Sequence, residues 1–433
     1  LLIGTMLVGC SGGNKVEPTS QDSGTASTEV AAPAAPEGAT EFELWTFQEI
    51  HTQYYNKVME KWNKENPNKQ IAFKYSVLPY DDMHNKLLIA LQSGVGAPVI
   101  VDIEISKFPN YLKGEPQLLP LNDIVEPELN NIVKSRVDIY SKDDKYYGIC
   151  FHVGASVMYY NKEILDEAGV NVDEIVTWED FRKAGQQVLE KVGVPMTTVE
   201  TNDPWSFYPM LVSQGGDFLG DDGNPNLDTP EMKKTMTFLQ DMIKEGTAVV
   251  TPGGFHHAEE YYGFMNEASA AAITMPLWYM GRFTDYMPDL KDKIVIKPNP
   301  VWQKGDPRSV GLGGTGTAIT NQCENQELAK EVLAYAKLSH EGNIEIWNTL
   351  GFDPLRTEVW GAEELKAENK FTEYFINSPF ETLQEIKDEI VGINISENLP
   401  VVTDAIKTTT SFRAFENLED VDKLLEEEQA QFK

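Results

Sequence analysis

From Glu41 to Ile103 the apolar residues switch repeatedly between a strand-like and a helix-like period, which restricts this stretch to a helix-covered, mostly parallel sheet. Phe42-Glu43-Leu44-Trp45-Thr46-Phe47 alternates as a strand does, and Tyr55, Val58, Met59 and Trp62 then recur on one helical face. Ile71 to Val77 reads as a second strand. Asp81 or Asp82 is placed to cap a helix carrying Met83, Leu87 and Leu91 and closed by Gly94. Val99 to Ile103 is a continuous apolar run, the pattern of a parallel strand covered on both faces.

A second block begins after Cys150. Val157 to Tyr160 leads into a helix capped by Asn161 and ended by Gly169. Thr177-Trp178-Glu179-Asp180 has the form of a capping box with Asp in the Glu position, and Thr229-Pro230 places a cap and an N1 proline before Met232, Met236, Leu239 and Ile243. Ala270 to Met275, Ile294 to Ile296 and Thr317 to Ile319 read as further strands, and Leu328 to Ala336 as an amphipathic helix. Beyond Gly351 the pattern predicts an almost wholly helical ending. In open α/β sheets ligands bind beyond the carboxyl ends of the strands, so the expected cleft follows Trp45, Val101 and Met275 and passes near Phe151.

The chain has 433 residues, with 68 Asp and Glu against 36 Lys and Arg and a formal charge of -32. A field of that sign repels nucleic acid and anionic surfaces. The three cysteines, Cys10, Cys150 and Cys323, are too few for a disulfide framework, and the latter two are expected as separate buried thiols. No apolar run reaches the ~20 residues needed to span a bilayer.

Leu1 to Gly9 is short and apolar and ends in Leu7-Val8-Gly9-Cys10, the form of a lipobox closing a secretion signal whose charged start is missing. Cys10 is the expected lipidation site. Residues 11–40 are rich in Ser, Gly, Thr, Ala, Pro and Glu and carry little that could be buried, so a flexible tether is expected there.

Motifs of catalysis fail on their context. Gly311-Leu312-Gly313-Gly314-Thr315-Gly316 spells a dinucleotide fingerprint, but a strand rather than a helix follows it, so it reads as a glycine-rich crossing strand. Adjacent His256 and His257 point about 100° apart on a helix and cannot chelate as H-E-x-x-H does. Asp217 to Asp228 lacks the ligand order of an EF-hand, and Asp222-Gly223 is more simply a hairpin turn. No motif singles out a carboxylate pair for glycoside hydrolysis. No metal or cofactor is called for.

Tryptophan does stand out, at Trp45, Trp178, Trp205, Trp278, Trp302, Trp347 and Trp360. A sugar presents an apolar C–H face to an aromatic plate and hydroxyls to planar Asp, Glu, Asn and Arg groups. Trp178 and Trp347 lie on apolar helical faces and are assigned to core. Trp45 and Trp278 follow strands at the expected cleft, and Trp278 is expected to contribute most to binding.

Several stretches together resemble the family 1 extracellular solute-binding proteins, the maltodextrin-binding-like group. They are the lipobox and tether, Tyr159-Tyr160-Asn161-Lys162 to Gly169, Thr177 to Phe181, and Ser309 to Gly313 before the Leu328 helix. More narrowly, Thr198 to Asp203, Pro252 to His257, Tyr261 to Asn266, Trp278 to Arg282 and Leu350 to Arg356 resemble the arabinose and arabino-oligosaccharide-binding branch. The resemblance implies a two-lobed α/β fold of the periplasmic-binding-protein-like kind (type II), with a ligand cleft between lobes joined by crossing strands. Residues 41–154 and 309–350 would form one lobe, and 155–308 and 351–433 the other. It implies a non-catalytic, lipid-anchored monomer on the outer face of the cell membrane, delivering sugar to an ABC permease. By the same analogy Trp45 and Trp278 stack on sugar, and Trp205 and Glu49 are further ligand-binding candidates. Asp102, Glu104, Asn202, Asp203 and Arg356 bond hydroxyls, with His152 and Tyr279 in lesser roles, and Gly313 and Gly314 bring backbone close to the ligand.

Overall fold

The computed structural model describes residues 34–432; Cys10 and residues 11–33 of the expected tether lie outside them. Strand β1 (Thr40–Thr46), helix α1 (Glu49–Glu65), strand β2 (Ile71–Val77), helix α2 (Tyr80–Ser93) and strand β3 (Ile100–Glu104) follow one another as the periodicity predicts. β1 lies between β2 and β3 and is parallel to both. The sheet continues through Thr315–Ile319, antiparallel to β3, and ends on Ile149–Cys150. Its core takes Leu44, Val101, Ile103, Ile149 and Ala318 from strands and Tyr54, Met83, Leu87, Val332 and Leu333 from helices. Helix α2 begins at Tyr80 with no side-chain cap, because Asp81 and Asp82 already fall inside its first turn, where their charge favours the positive end of the helix dipole. Gly94 ends it in the left-handed conformation at φ 73°, which glycine adopts without strain.

The second lobe is built on an antiparallel sheet in which Ser156–Asn161 lies between Ala272–Pro276 and Ile294–Lys297. A short parallel pair, Thr197–Val199 with Ala248–Val250, lies beside it. The helix signals are met here: Asn161 Oδ1 accepts from Ile164 N, Thr229 Oγ1 accepts from Met232 N, and Thr177 and Asp180 form the reciprocal capping box. Trp178 and Trp347 are buried. Cys150 and Cys323 are free, buried thiols. Asp222-Gly223 closes a tight loop in which Gly223 takes φ 75° and Leu219 bridges Pro225.

The ending is not wholly helical. Between Gly351 and Asn398 the chain runs through short 3-10 turns, the helix Pro379–Glu385 and the strand Ile390–Val391. Phe371, Tyr374 and Phe375 there plug an apolar core, and their spacing mimics a helical stripe. Regular helix resumes at Leu399.

The lobes are joined where Ala155 bridges Gly311 and where Ser309–Val310 runs parallel to Ile390–Val391. No helix among the described residues is long and apolar enough to cross a membrane.

Candidate ligand-binding cleft

β1 and β3 both end toward the second lobe, and their carboxyl ends open into a cleft of about 320 Å3. From the first lobe it is lined by Phe47 and Gln48 after β1, Tyr80 at the start of α2, and Glu104, Ile105 and Ser106 at the end of β3. The second lobe contributes Asp203, Trp205, Tyr208, Phe218, Thr403 and Lys407, and the crossing strand Leu312 and Gly313. The volume lies at the small end of the range for small-molecule sites. A larger groove of about 700 Å3, between Pro109–Lys142 and Gly392–Glu397, carries no aromatic side chain and so offers no plate for a sugar face.

Glu104 is held by donors that converge on one oxygen: Tyr80 Oη and Ser106 N each reach Oε2 at 2.8 Å, and Ser106 Oγ also donates to it. Oε1 is thereby left to accept from a ligand. Burial pushes this carboxyl up, against the lowering effect of those hydrogen bonds. Behind it, His84 Nε2 accepts from Glu104 N at 3.1 Å and Nδ1 contacts Tyr80 O at 2.6 Å. A backbone N–H can only donate, so Nε2 is the acceptor and Nδ1 carries the proton. Burial lowers the His84 pKa to about 4.

Across the cleft Asp203 accepts from Lys407 Nζ at 2.7 Å, and burial raises its carboxyl. The loop carrying Asp203 and Trp205 is clamped from beneath by Glu200, a fully buried carboxyl that accepts from His256 N at 2.8 Å and Ser206 N at 3.1 Å. Burial drives the Glu200 pKa well above the usual carboxylate range. His256 is therefore a core residue, its Nε2 against Thr198 Oγ1, while His257 stacks on Trp278 with ring centroids 5.6 Å apart.

Of the residues singled out from sequence, Glu104, Asp203, Trp205 and Gly313 line the cleft. Trp278 stands behind Trp205, edge to face at 5.4 Å; one face is covered by His257 and its Nε1 donates to Leu312 O. Glu49 is exposed one residue beyond Gln48, and Asn202 is exposed beside Asp203.

The others are placed elsewhere. Trp45 is 2% exposed, because a parallel strand covered on both faces buries both alternating sets of side chains; its indole N–H meets Glu43 and Lys86 covers its ring. Asp102 is fully buried against His51, Tyr55 and Thr317; burial alone would raise its pKa, but the hydrogen bond and charge of His51 hold it below the usual value. Tyr279 is buried with its hydroxyl on His256 O. Arg356 reaches Glu128 of the first lobe and its own near neighbour Glu358. His152 packs edge-on against Phe352, and Gly314 packs against Arg136.

Phe47, Tyr80, Ser106, Tyr208 and Lys407 were not foreseen. The strand-end rule that pointed to Trp45 holds two residues later, at Phe47. Nothing local marks Lys407, whose partner Asp203 is distant in sequence.

The model of the bacterial extracellular solute-binding proteins matches residues 48–339. The arabinooligosaccharide-binding protein of Halalkalibacterium halodurans is 50% identical over 373 residues, 86% of this chain and 84% of the relative. That of Bacillus subtilis is 46% identical over 389 residues, covering 89% and 90%. This chain belongs to the bacterial extracellular solute-binding protein family. Its members are binding receptors rather than enzymes. The two-lobed fold is shared with the sugar-binding protein MalE of Xanthomonas citri, at TM-score 0.77 and 16% identity over 91% of this chain and 96% of that one. The cyclic alpha-maltosyl-1,6-maltose binding protein of Arthrobacter globiformis gives TM-score 0.72 and 19% identity over 91% and 98%.

Proposed function

We propose that this solute-binding protein captures an arabinose-containing oligosaccharide in the cleft and passes it, uncleaved, to an ABC import permease. The observation that carries the reading is Trp205, an indole on the cleft wall beside Asp203 and opposite Glu104. A flat apolar surface flanked by hydroxyl acceptors suits a sugar ring. The two relatives at 50% and 46% identity, both named for arabino-oligosaccharides, supply the sugar class. In this reading Trp205 stacks on a ring and Glu104 Oε1 and Asp203 accept from hydroxyls. The backbone at Gly313 approaches the ligand, Trp278 supports Trp205, and Asn202 and Glu49 lie at the rim.

The lobes comprise residues 41–154 with 309–350 and residues 155–308 with 351–433, and they close on the sugar. The protein acts as a monomer held at the outer membrane face by a lipid on Cys10.

Calorimetric titration against arabinotriose, xylotriose, maltotriose and galactobiose tests the reading. Binding of arabinotriose at least tenfold tighter than the rest supports it. Tighter binding of another sugar reassigns the cargo, and release of shorter sugars during incubation contradicts the receptor role.

A further inference from the structure

Two buried polar side chains, an arginine and an aspartate, grip the backbone where the lobes meet. Arg136, on the short first-lobe helix Ser135–Asp138, has no solvent exposure. Its Nη1 donates to Gly311 O at 2.8 Å and its Nη2 donates to Gly313 O. Asp353, 1% exposed, accepts from Gly154 N at 3.1 Å and Ala155 N at 2.8 Å. The crossing strands also touch each other: Leu312 N donates to Gly154 O at 2.9 Å.

The glycines of the false dinucleotide fingerprint are explained by this packing. A Cβ at Gly311 would lie 2.7 Å from Arg136 Cδ, and one at Gly314 would lie 2.9 Å from Arg136 Nη2. One at Gly316 would meet the Tyr140 ring at 2.7 Å. Gly313 and Gly314 also take φ 65° and 123°, in the region where only glycine is free of strain. The run is thus shaped around Arg136 and its neighbour Tyr140. A buried guanidinium is costly unless its hydrogen bonds are met. Here two carbonyls of the crossing strand meet its two terminal nitrogens, while Nε is left without a partner, so the grip on Gly311 and on the cleft-lining Gly313 is what compensates the burial.

We propose that Arg136 is the positioning residue of the hinge, fixing the cleft floor at Leu312–Gly313 to the first lobe while Asp353 fixes the other crossing strand. Closure then turns about backbone on the second-lobe side of these grips. The inference deepens the binding role proposed above and rests on lobe closure, yet the decisive reading needs no ligand.

The experiment compares wild type with Arg136→Met, Arg136→Lys and Asp353→Asn by solution X-ray scattering without sugar and by amide hydrogen exchange. Loss of the grip should enlarge and broaden the ligand-free inter-lobe separation, most in Arg136→Met and partly restored in Arg136→Lys. Exchange should speed up at Gly154–Ala155 and Gly311–Gly314 while β3 and Ser156–Asn161 stay protected. Arabinotriose affinity should fall about tenfold in Arg136→Met. Should that variant not fold, Arg136→Lys and Asp353→Asn still carry the comparison. A wild-type scattering profile in the folded variants, or faster exchange spread through the first-lobe sheet, would overturn the proposal by making Arg136 an ordinary core residue. If wild type failed to bind arabinotriose, the cargo would be wrong and the ligand-free comparison would still decide the hinge.

Discussion

Trp205 lines the cleft, whereas Trp278 has one face under His257 and its N–H committed to Leu312 O. Trp205→Ala should cost ~2–4 kcal/mol of binding, about 30- to 1000-fold in Kd, with little change in melting temperature. Trp278→Ala should lower the melting temperature as well, since it removes packing and a hydrogen bond together. Calorimetric titration and thermal melting of both variants check the division. His84 offers a pH test. Its folded pKa of about 4, depressed by burial, lies below the ordinary 6.5, so the unfolded chain takes up the proton first. Stability should therefore fall as pH drops through the window from 6.5 to 4. The loss should be roughly 3 kcal/mol from this group. His84→Asn should flatten that part of the melting-temperature profile. At this scale the sequence was only partly legible. Glu104 and Asp203, expected from the family resemblance, lie where strand ends and a short polar loop gather at the cleft. Asp102 and Arg356 could equally bond hydroxyls, but they satisfy buried or lateral partners that no local pattern encodes.

The capping signals show why elements were more legible than side-chain roles. A cap is decided within four residues, so Thr177 and Asp180 form their box whatever the rest of the chain does. Thr177→Ala should cost about 1 kcal/mol of stability. The melting temperature should drop while sugar affinity stays unchanged, because the helix Trp178–Lys191 packs its apolar face into the second-lobe core and not into the cleft. Where long-range packing decides, local reading fails. Phe371, Tyr374 and Phe375 repeat at helical spacing, yet they belong to turns shaped around the core that also holds Trp347 and Phe380. The glycine-rich strand shows the intermediate case. Its lack of a following helix excluded a phosphate site, but the reason for each glycine lies in Arg136, Tyr140 and Trp278, which sequence does not place beside it.

At the scale of the molecule, alternation of strands and helices was enough to expect two lobes, since each block makes a sheet that must be covered. The cleft volume was not legible, because it depends on how the crossing strands set one lobe against the other. Anchoring belongs to this scale too. Cys10→Ser should move the protein from the membrane fraction to the medium, because a single acyl chain holds weakly and the two chains of a diacylglyceryl group are needed for retention. Fractionation of cells expressing each form checks it, and equal retention of the variant would contradict lipidation. Closure is the claim on which the rest depends. Trp205, Asp203 and Lys407 on one wall and Phe47, Tyr80 and Glu104 on the other line a single cleft, and lobes that close would grip a sugar between them. Solution X-ray scattering through a titration with arabinotriose measures this directly: the radius of gyration should fall and level off at saturation, whereas an identical profile with and without saturating sugar would contradict it.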